Sequence, residues 1–281
     1  CQGVFVLTGG PGTGKTTVAR AIIRIFETLG LSVALCAPTG RAAKRMTEAT
    51  GREAKTIHRL LETERTSEDE PIFRRNEDDP LDEDVIMVDE SSMIDIYLME
   101  SLLRATRPTA RLILIGDASQ LPPVGPGCVF KDIIASDRYN TVELKHIFRQ
   151  AMESLIVTNA HAVNDGEHID LTKKDGDFFF LPRETDELTA QTVVDLCRKR
   201  LPKSYGLSVF DGIQVITPSK KGALGTEALC MALQSAINPP SNSKKELKRR
   251  TSVLREGDKV MQVKNNYSIT WKKSDGGEGT G

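Results

Sequence analysis

The stretch Gly9-Gly10-Pro11-Gly12-Thr13-Gly14-Lys15-Thr16 constrains this chain more than any other. It follows an apolar run, Val4-Phe5-Val6-Leu7, and leads into a helix-like run from Thr17 to Leu29. A strand, a glycine-rich loop and a helix in that order make the phosphate-binding P-loop. Glycines let the backbone bend until successive N–H groups point at one anion, and the new helix adds the positive end of its dipole. Gly10, Pro11, Gly12, Thr13, Gly14 and Thr17 are therefore expected around a nucleotide's phosphates. Lys15 would reach the β- and γ-phosphates, and Thr16 would place its hydroxyl on Mg²⁺.

Apolar runs alternate with helical patterns along the first half. Val4–Leu7 precedes the helix after the loop, and Ser32–Ala37 precedes Gly40–Thr50 and Thr56–Glu62. Val85–Val88 precedes Asp95–Ala105, and Leu112–Ile115 precedes a Pro/Gly loop and Val129–Ser136. Thr141–Leu144 precedes Met152–Asn164. Continuously apolar strands between helices imply a parallel sheet covered on both faces, so a P-loop α/β domain is expected over residues 1–166. Within it, residues 62–84 turn acidic and read as a mobile loop with no fixed structure.

A second unit, residues 167–281, repeats the strand–helix theme more faintly. Strands are expected at Phe178–Leu181, Gly212–Pro218 and Asp258–Lys264, with helices at Thr185–Leu201 and Gly225–Ile237. Ser241–Arg250 reads as an exposed connection, and the glycine-rich end from Ser274 as flexible.

Composition narrows the class. Hydrophobic residues make up 39% and charged residues 27% of the 281, a soluble globular balance, with no apolar run near the roughly 20 residues a bilayer demands. Cys1, Cys36, Cys128, Cys197 and Cys230 form no CxxC pair, which argues against zinc and a disulfide framework and for a reduced, cytoplasmic setting. The net charge of −1 leaves no global basic field, so a nucleic acid would need a local groove. The chain opens without Met or a basic leader and reads as a piece of something longer.

Val85–Val88 ends in two acids, Asp89 and Glu90. Buried strands seldom end in paired carboxylates without a use, since unpaired burial is costly. Asp89 suits Mg²⁺, and Glu90 suits the orientation and deprotonation of an attacking water. Gln120 lies just past Leu112–Ile115, at the ligand end of an open α/β sheet, where its amide can touch a γ-phosphate. Asp117 reads either as part of that site or as a turn cap. Pro38, Thr39, Gly40 and Arg41 follow the second strand and suit a polynucleotide phosphate, with Lys44 and Arg45 adding charge to the site or to a solvated helix face. Pro122, Pro123 and Val124 sit in a stiff loop suited to hold its shape against a partner.

Four segments together resemble a family. Gly9–Thr16, Ala37–Arg45, Val88–Met93 and Gly116–Gly127 resemble motifs I, Ia, II and III of superfamily 1 helicases. Their wording is similar to the RecD/TraA-type branch, that of the exodeoxyribonuclease V alpha subunit. Thr56–Arg59, Ile147–Gln150, Ile216–Gly222 and Glu256–Tyr267 resemble further segments of that branch. The resemblance implies two RecA-like domains, the second incomplete because the branch's later motifs V and VI are missing from the sequence. It implies ATP and Mg between the domains, surrounded by Lys15, Thr16, Asp89, Glu90, Gln120 and an arginine, Arg149. Single-stranded DNA would cross Thr39–Arg41, His58, Pro122–Val124 and Thr217, Pro218 and Lys220. The implied activity is ATP-dependent 5′-to-3′ DNA translocation and unwinding in repair or recombination, alone or with other subunits of a helicase–nuclease complex. The competing expectation is a nucleotide-dependent DNA-binding subunit that does not unwind by itself.

Overall fold

A computed structural model describes residues 3–65, 71–148, 152–174, 176–249, 252–261, 270–272 and 278–280. They group into two compact units that part between Phe180 and Leu181. The sequence reading put this boundary at 166/167. The intervening segment stays with the first unit, where the Asp177 carboxylate accepts from the Ser154 hydroxyl at 2.5 Å and the Ile156 N–H at 3.2 Å.

The first unit runs β1 (Val4–Gly9), α1 (Lys15–Thr28), β2 (Val33–Ala37), α2 (Gly40–Thr50), β3 (Ala54–Thr56), α3 (Ile57–Leu60), β4 (Thr63–Arg65), β5 (Pro71–Phe73), β6 (Val85–Val88), α4 (Ile96–Arg104), β7 (Arg111–Gly116), α5 (Val129–Ala135), β8 (Asn140–Leu144) and α6 (Leu155–Asn164). Six of these strands form one sheet in the order β3-β2-β6-β7-β1-β8. Every neighbouring pair is parallel, with Phe5 opposite Ile113 and Asn140, and Ile86 opposite Ala34 and Leu112.

Alternation along the strands divides the core into two layers. Val6, Cys36, Ile86, Val88, Leu112 and Leu114 pack on one face against Ile57, Met99, Leu102 and Phe130 of α3, α4 and α5. Leu7, Leu35, Met87, Ile113 and Ile115 pack on the other against Ala19 and Ile23 of α1 and Met46 of α2. A strand clothed on both faces has no polar side to show, which is why these strands read as unbroken apolar runs. Helices α2, α3, α4 and α6 begin at side-chain caps. Thr39 accepts from the Ala42 N–H at 3.2 Å, and Asp95 from the Leu98 N–H at 2.9 Å.

The five strands and six helices expected in this unit all form, with ends shifted by a few residues. The acidic stretch does not behave as expected. β4 and β5 pair as an antiparallel hairpin, with Thr63 opposite Phe73. Arg75 meets Glu62 at 3.0 Å and Asp79 at 3.3 Å, Arg74 meets Glu62 at 3.3 Å, and Arg104 meets Glu77 at 3.1 Å. Leu81 is buried and donates its N–H to Ala105 O at 2.8 Å. Interspersed arginines and two apolar anchors, Phe73 and Leu81, hold the described parts of a segment whose charge suggested disorder; residues 66–70, with the acids Glu68, Asp69 and Glu70, lie outside the described residues. β3, only three residues long, was too short to show a period.

In the second unit a helix over Asp186–Asp195 continues through a wider turn, Leu196–Arg200, into Leu201–Tyr205, and another spans Thr226–Ile237. Both answer expected helices. The expected strands do not form: residues 178–181 and 212–218 pair with no strand, and neither does the described part of 258–264, whose last residues lie outside the described set. A strand exists only by pairing, and apolar runs alone do not supply a partner. Two antiparallel pairs occur instead, Glu246–Lys248 with Val253–Arg255 and Thr270–Lys272 with Glu278–Thr280. One strand of the first pair, Glu246–Lys248, lies in the segment read as a connection, and one strand of the second, Glu278–Thr280, in the end read as flexible. A ladder needs only backbone groups, which polar and glycine residues also provide.

Ile86 is fully buried at the centre of the sheet. Ile86→Ala should cost about 2–5 kcal/mol of stability in denaturant titration. Arg104→Ala, which breaks only exposed ion pairs, should cost less than about 1 kcal/mol.

Candidate nucleotide and DNA site

Parallel pairing sends every strand's carboxyl end to the same edge of the sheet. The P-loop follows β1, Pro38–Arg41 follows β2, His58 follows β3, Asp89-Glu90 follows β6, and Asp117–Gln120 follows β7. Segments far apart in sequence thus share one rim, where open α/β sheets bind ligands.

The loop itself is built for anions. Gly12 and Gly14 hold φ of 75° and 85°, a region closed to most side chains. The Thr13 hydroxyl donates to Gly10 O at 2.8 Å, closing the loop on itself. Lys15 Nζ donates to Gly9 O at 2.7 Å and Gly10 O at 2.9 Å. A phosphate carries full charge and is a stronger acceptor than those carbonyls, so the ammonium sits within the loop it would serve. A Cβ on Gly14 would run into the Phe148 ring, and one on Gly10 into the His161 imidazole. His161 Nε2 lies 3.0 Å from Pro11 O, and Phe148 donates its N–H to Gly12 O at 3.3 Å. Sequence reasoning passed over His161. No motif marked it, and only the docking of α6 on the loop reveals it.

A cleft of about 470 Å³ opens between α1 and α2 beside the sheet edge. Thr16, Arg45, Met46, Asp89, Glu90 and Ile115 are among its lining residues. Burial pushes the Asp89 carboxyl above the usual range, opposed by the Glu90 N–H, which donates to Asp89 Oδ1 at 2.9 Å, and by the Lys15 charge. Burial and then the Asp89 charge push Glu90 up too, while Lys15 and Arg45 pull it back. Glu90 holds φ 54°, an uncommon left-handed conformation for a residue with a side chain, at the start of a tight turn over Ser91–Met93. Such backbone persists where the surroundings over-determine it. Two half-buried carboxylates short of counter-charge, next to a hydroxyl, form the hard-oxygen donor set that Mg²⁺ prefers. Thr16 and Asp89 would hold the ion.

Gln120 takes a neighbouring place. Its Oε1 accepts from the Ser92 hydroxyl at 3.4 Å, in the turn just past Glu90, and it is not among the residues lining the large cleft. Asp117 is a turn cap, accepting from the Ser119 N–H at 2.9 Å.

Along the same rim, Gly40 and Arg41 are exposed at the start of α2. Pro122–Val124 follow Leu121, and Leu121 and Val124 stand out as almost wholly exposed apolar side chains. Their loop is pinned on α4, where the Ile96 N–H donates to Pro126 O at 3.0 Å and a Cβ on Gly125 would run into Asp95. His58 packs on Phe73 with ring centroids 5.8 Å apart, and burial lowers its pKa while Asp95 raises it. Thr217, Pro218 and Lys220 lie in the second unit, where the Thr217 hydroxyl donates to Leu224 O at 2.6 Å. Arg149 lies outside the described residues.

Residues 1–126 match a family model described as an AAA domain. The ATP-dependent RecD2 DNA helicase of Deinococcus radiodurans is 38% identical over 272 residues, covering 94% of this chain and 34% of that protein. The RecBCD enzyme subunit RecD of Mycobacterium tuberculosis is 44% identical over 156 residues, 47% of this chain and 26% of that subunit. The chain thus spans about a quarter to a third of the length of these curated relatives. Among solved structures, Pif1 helicase from Candida albicans is 24% identical over 72% of this chain and 51% of its own, at a TM-score of 0.45, too slight a likeness to bear on function. The chain is similar to one RecD-type helicase over nearly its whole length and to a RecD subunit over about half of it. In the described residues no helix is long and apolar enough to cross a membrane.

Gly14 has neither the backbone angle nor the space for a side chain. Gly14→Ala should weaken binding of a fluorescent ATP analogue at least about tenfold, through misplacement of the loop's N–H groups.

Proposed function

We propose that this chain is the motor portion of an ATP-hydrolysing DNA helicase that translocates 5′ to 3′ on single-stranded DNA. One observation carries the reading: Lys15, Thr16, Asp89 and Glu90 come from two separate strand ends and gather at one rim of a parallel sheet. That is the equipment of phosphoryl transfer, which needs positioning and charge far more than covalent chemistry. Lys15 binds the terminal phosphates, and Thr16 and Asp89 hold Mg²⁺, which neutralises charge on the phosphates when bound. Glu90 accepts the proton of the attacking water, a task that suits a carboxyl whose pKa burial has raised. Gln120, beside Ser92, reports on the γ-phosphate. Arg149 neutralises charge there as an arginine finger does.

The same rim supports the DNA reading. Exposed Gly40 and Arg41, His58 and the Pro122–Val124 loop provide phosphate contacts and an apolar bearing surface for bases. We count Thr217, Pro218 and Lys220 of the second unit among the strand contacts as well; the described residues of that unit hold antiparallel strand pairs and no parallel sheet. Repair or recombination in the cytoplasm, alone or with other subunits of a helicase–nuclease complex, completes the proposal. Homology to RecD2 and to a RecBCD subunit supports both settings. A DNA-binding subunit that hydrolyses ATP without unwinding alone is favoured by the second relative, itself one subunit of an enzyme.

ATP turnover by the full-length protein should rise on addition of oligo(dT). Lys15→Ala and Glu90→Gln should each cut turnover by about 10²-fold or more, Glu90→Gln with little change in nucleotide affinity. DNA-stimulated turnover that survives Lys15→Ala would sink the reading, and turnover without strand displacement would favour the subunit alternative.

A further inference from the structure

We propose that Arg45 is a positioning residue that couples the strand-binding end of α2 to the water-activating carboxylate of Glu90. This rests on the helicase reading above and names the link between its two ligands.

The first support is placement. Arg45 and Glu90 line the same cleft, although one comes from α2 and the other from the end of β6. Arg45 stands four residues after Arg41, and residues so spaced share one side of a helix, about 6 Å apart. One stripe of α2 therefore carries two exposed arginines, Arg41 at the strand-binding rim and, a turn further on, Arg45 at the lining of the cleft. The helix is anchored by Ala42, Ala43 and Met46, which are buried, and Ala42 and Met46 share the cleft lining with Arg45. A short, capped, anchored helix moves as one piece, so a push on its start is felt a turn later.

The second support is charge. Lys15 and Arg45 are the cations whose fields act on Glu90, against the anions Asp89 and Asp117. A bound triphosphate engages Lys15, because phosphate outcompetes backbone carbonyls for the ammonium. Arg45 is then the remaining cation on Glu90 among the described residues. It has no salt bridge of its own there. The nearby acid on its helix, Glu48, also lines the cleft and lies 4.0 Å from Lys44. A guanidinium free of other partners can swing to the carboxylate and fix its direction when DNA seats the helix.

The test uses the full-length protein with Arg45→Ala, Arg45→Lys, Glu90→Gln and Arg45→Ala/Glu90→Gln. It measures turnover with and without oligo(dT), affinity for a fluorescent ATP analogue with Mg²⁺, and affinity for labelled oligo(dT). Arg45→Ala should lower DNA-stimulated kcat at least about tenfold, the scale of a catalytic group slightly misplaced. Both affinities should stay within about twofold, which also shows that the variant is folded. Arg45→Lys should recover part of the stimulation, and in the Glu90→Gln background Arg45→Ala should have no further effect. Stimulated kcat within twofold of the parent, or a loss that adds in full to that of Glu90→Gln, overturns the proposal. So does a matching fall in nucleotide affinity, which would make Arg45 a phosphate ligand, or in oligo(dT) affinity, which would make it a strand contact. An unmodified protein that DNA does not stimulate would strike the helicase reading itself; the Glu90 comparison on basal turnover would still decide whether Arg45 works through that carboxylate.

Discussion

The parallel pairing of six strands is the constraint on which the rest depends. Antiparallel neighbours would send half of the strand ends to the opposite edge. Because the strands all run one way, the P-loop, the two carboxylates, the start of α2 and the loop after β7 meet at one rim. The cost is that both faces must be covered, and the chain meets it with α1 and α2 on one side and α3, α4 and α5 on the other. The same helices then become parts of the site. α1 starts at Lys15, and α2 contributes the side of the cleft that carries Arg45.

Electrostatics then sets the character of that rim. Asp89 and Glu90 are held in partial burial, where an anion is disfavoured, with Lys15 as the nearby cation common to both. An arrangement left short of positive charge favours a ligand that brings some, and a divalent cation does so. The Glu90 backbone, in a left-handed conformation, marks the same place. The cost of that conformation is offset by a turn that ties Ser91 to Val88 O at 3.0 Å and aims the carboxylate toward the cleft.

Much of the first unit was legible in the sequence, and the reason is physical. Its strands are apolar on both faces, its helices carry visible caps such as Thr39 and Asp95, and its site residues sit at fixed offsets from strand ends. Three kinds of feature were not legible. The hairpin at Thr63–Phe73 was masked by acids whose partners, Arg75 and Arg104, are recognised only once folded. His161 meets Pro11 across 150 positions of sequence, and no local pattern encodes that meeting. The apolar runs at 178–181 and 212–218 looked like strands, yet Ile216 is 90% exposed and Phe180 49%. A strand signal states a preference for extension and says nothing about the neighbour that must satisfy it.

The central claim is that the loop, Thr16 and the two carboxylates form one metal–triphosphate site. A structure of the protein with Mg²⁺ and a non-hydrolysable ATP analogue tests it most directly. Lys15 Nζ should leave Gly9 O and Gly10 O for the phosphates, with the ion against the Thr16 hydroxyl and the Asp89 side and Glu90 facing the γ-phosphate. A nucleotide bound elsewhere, with Lys15 still on its own loop and Asp89 remote from the ion, would contradict it.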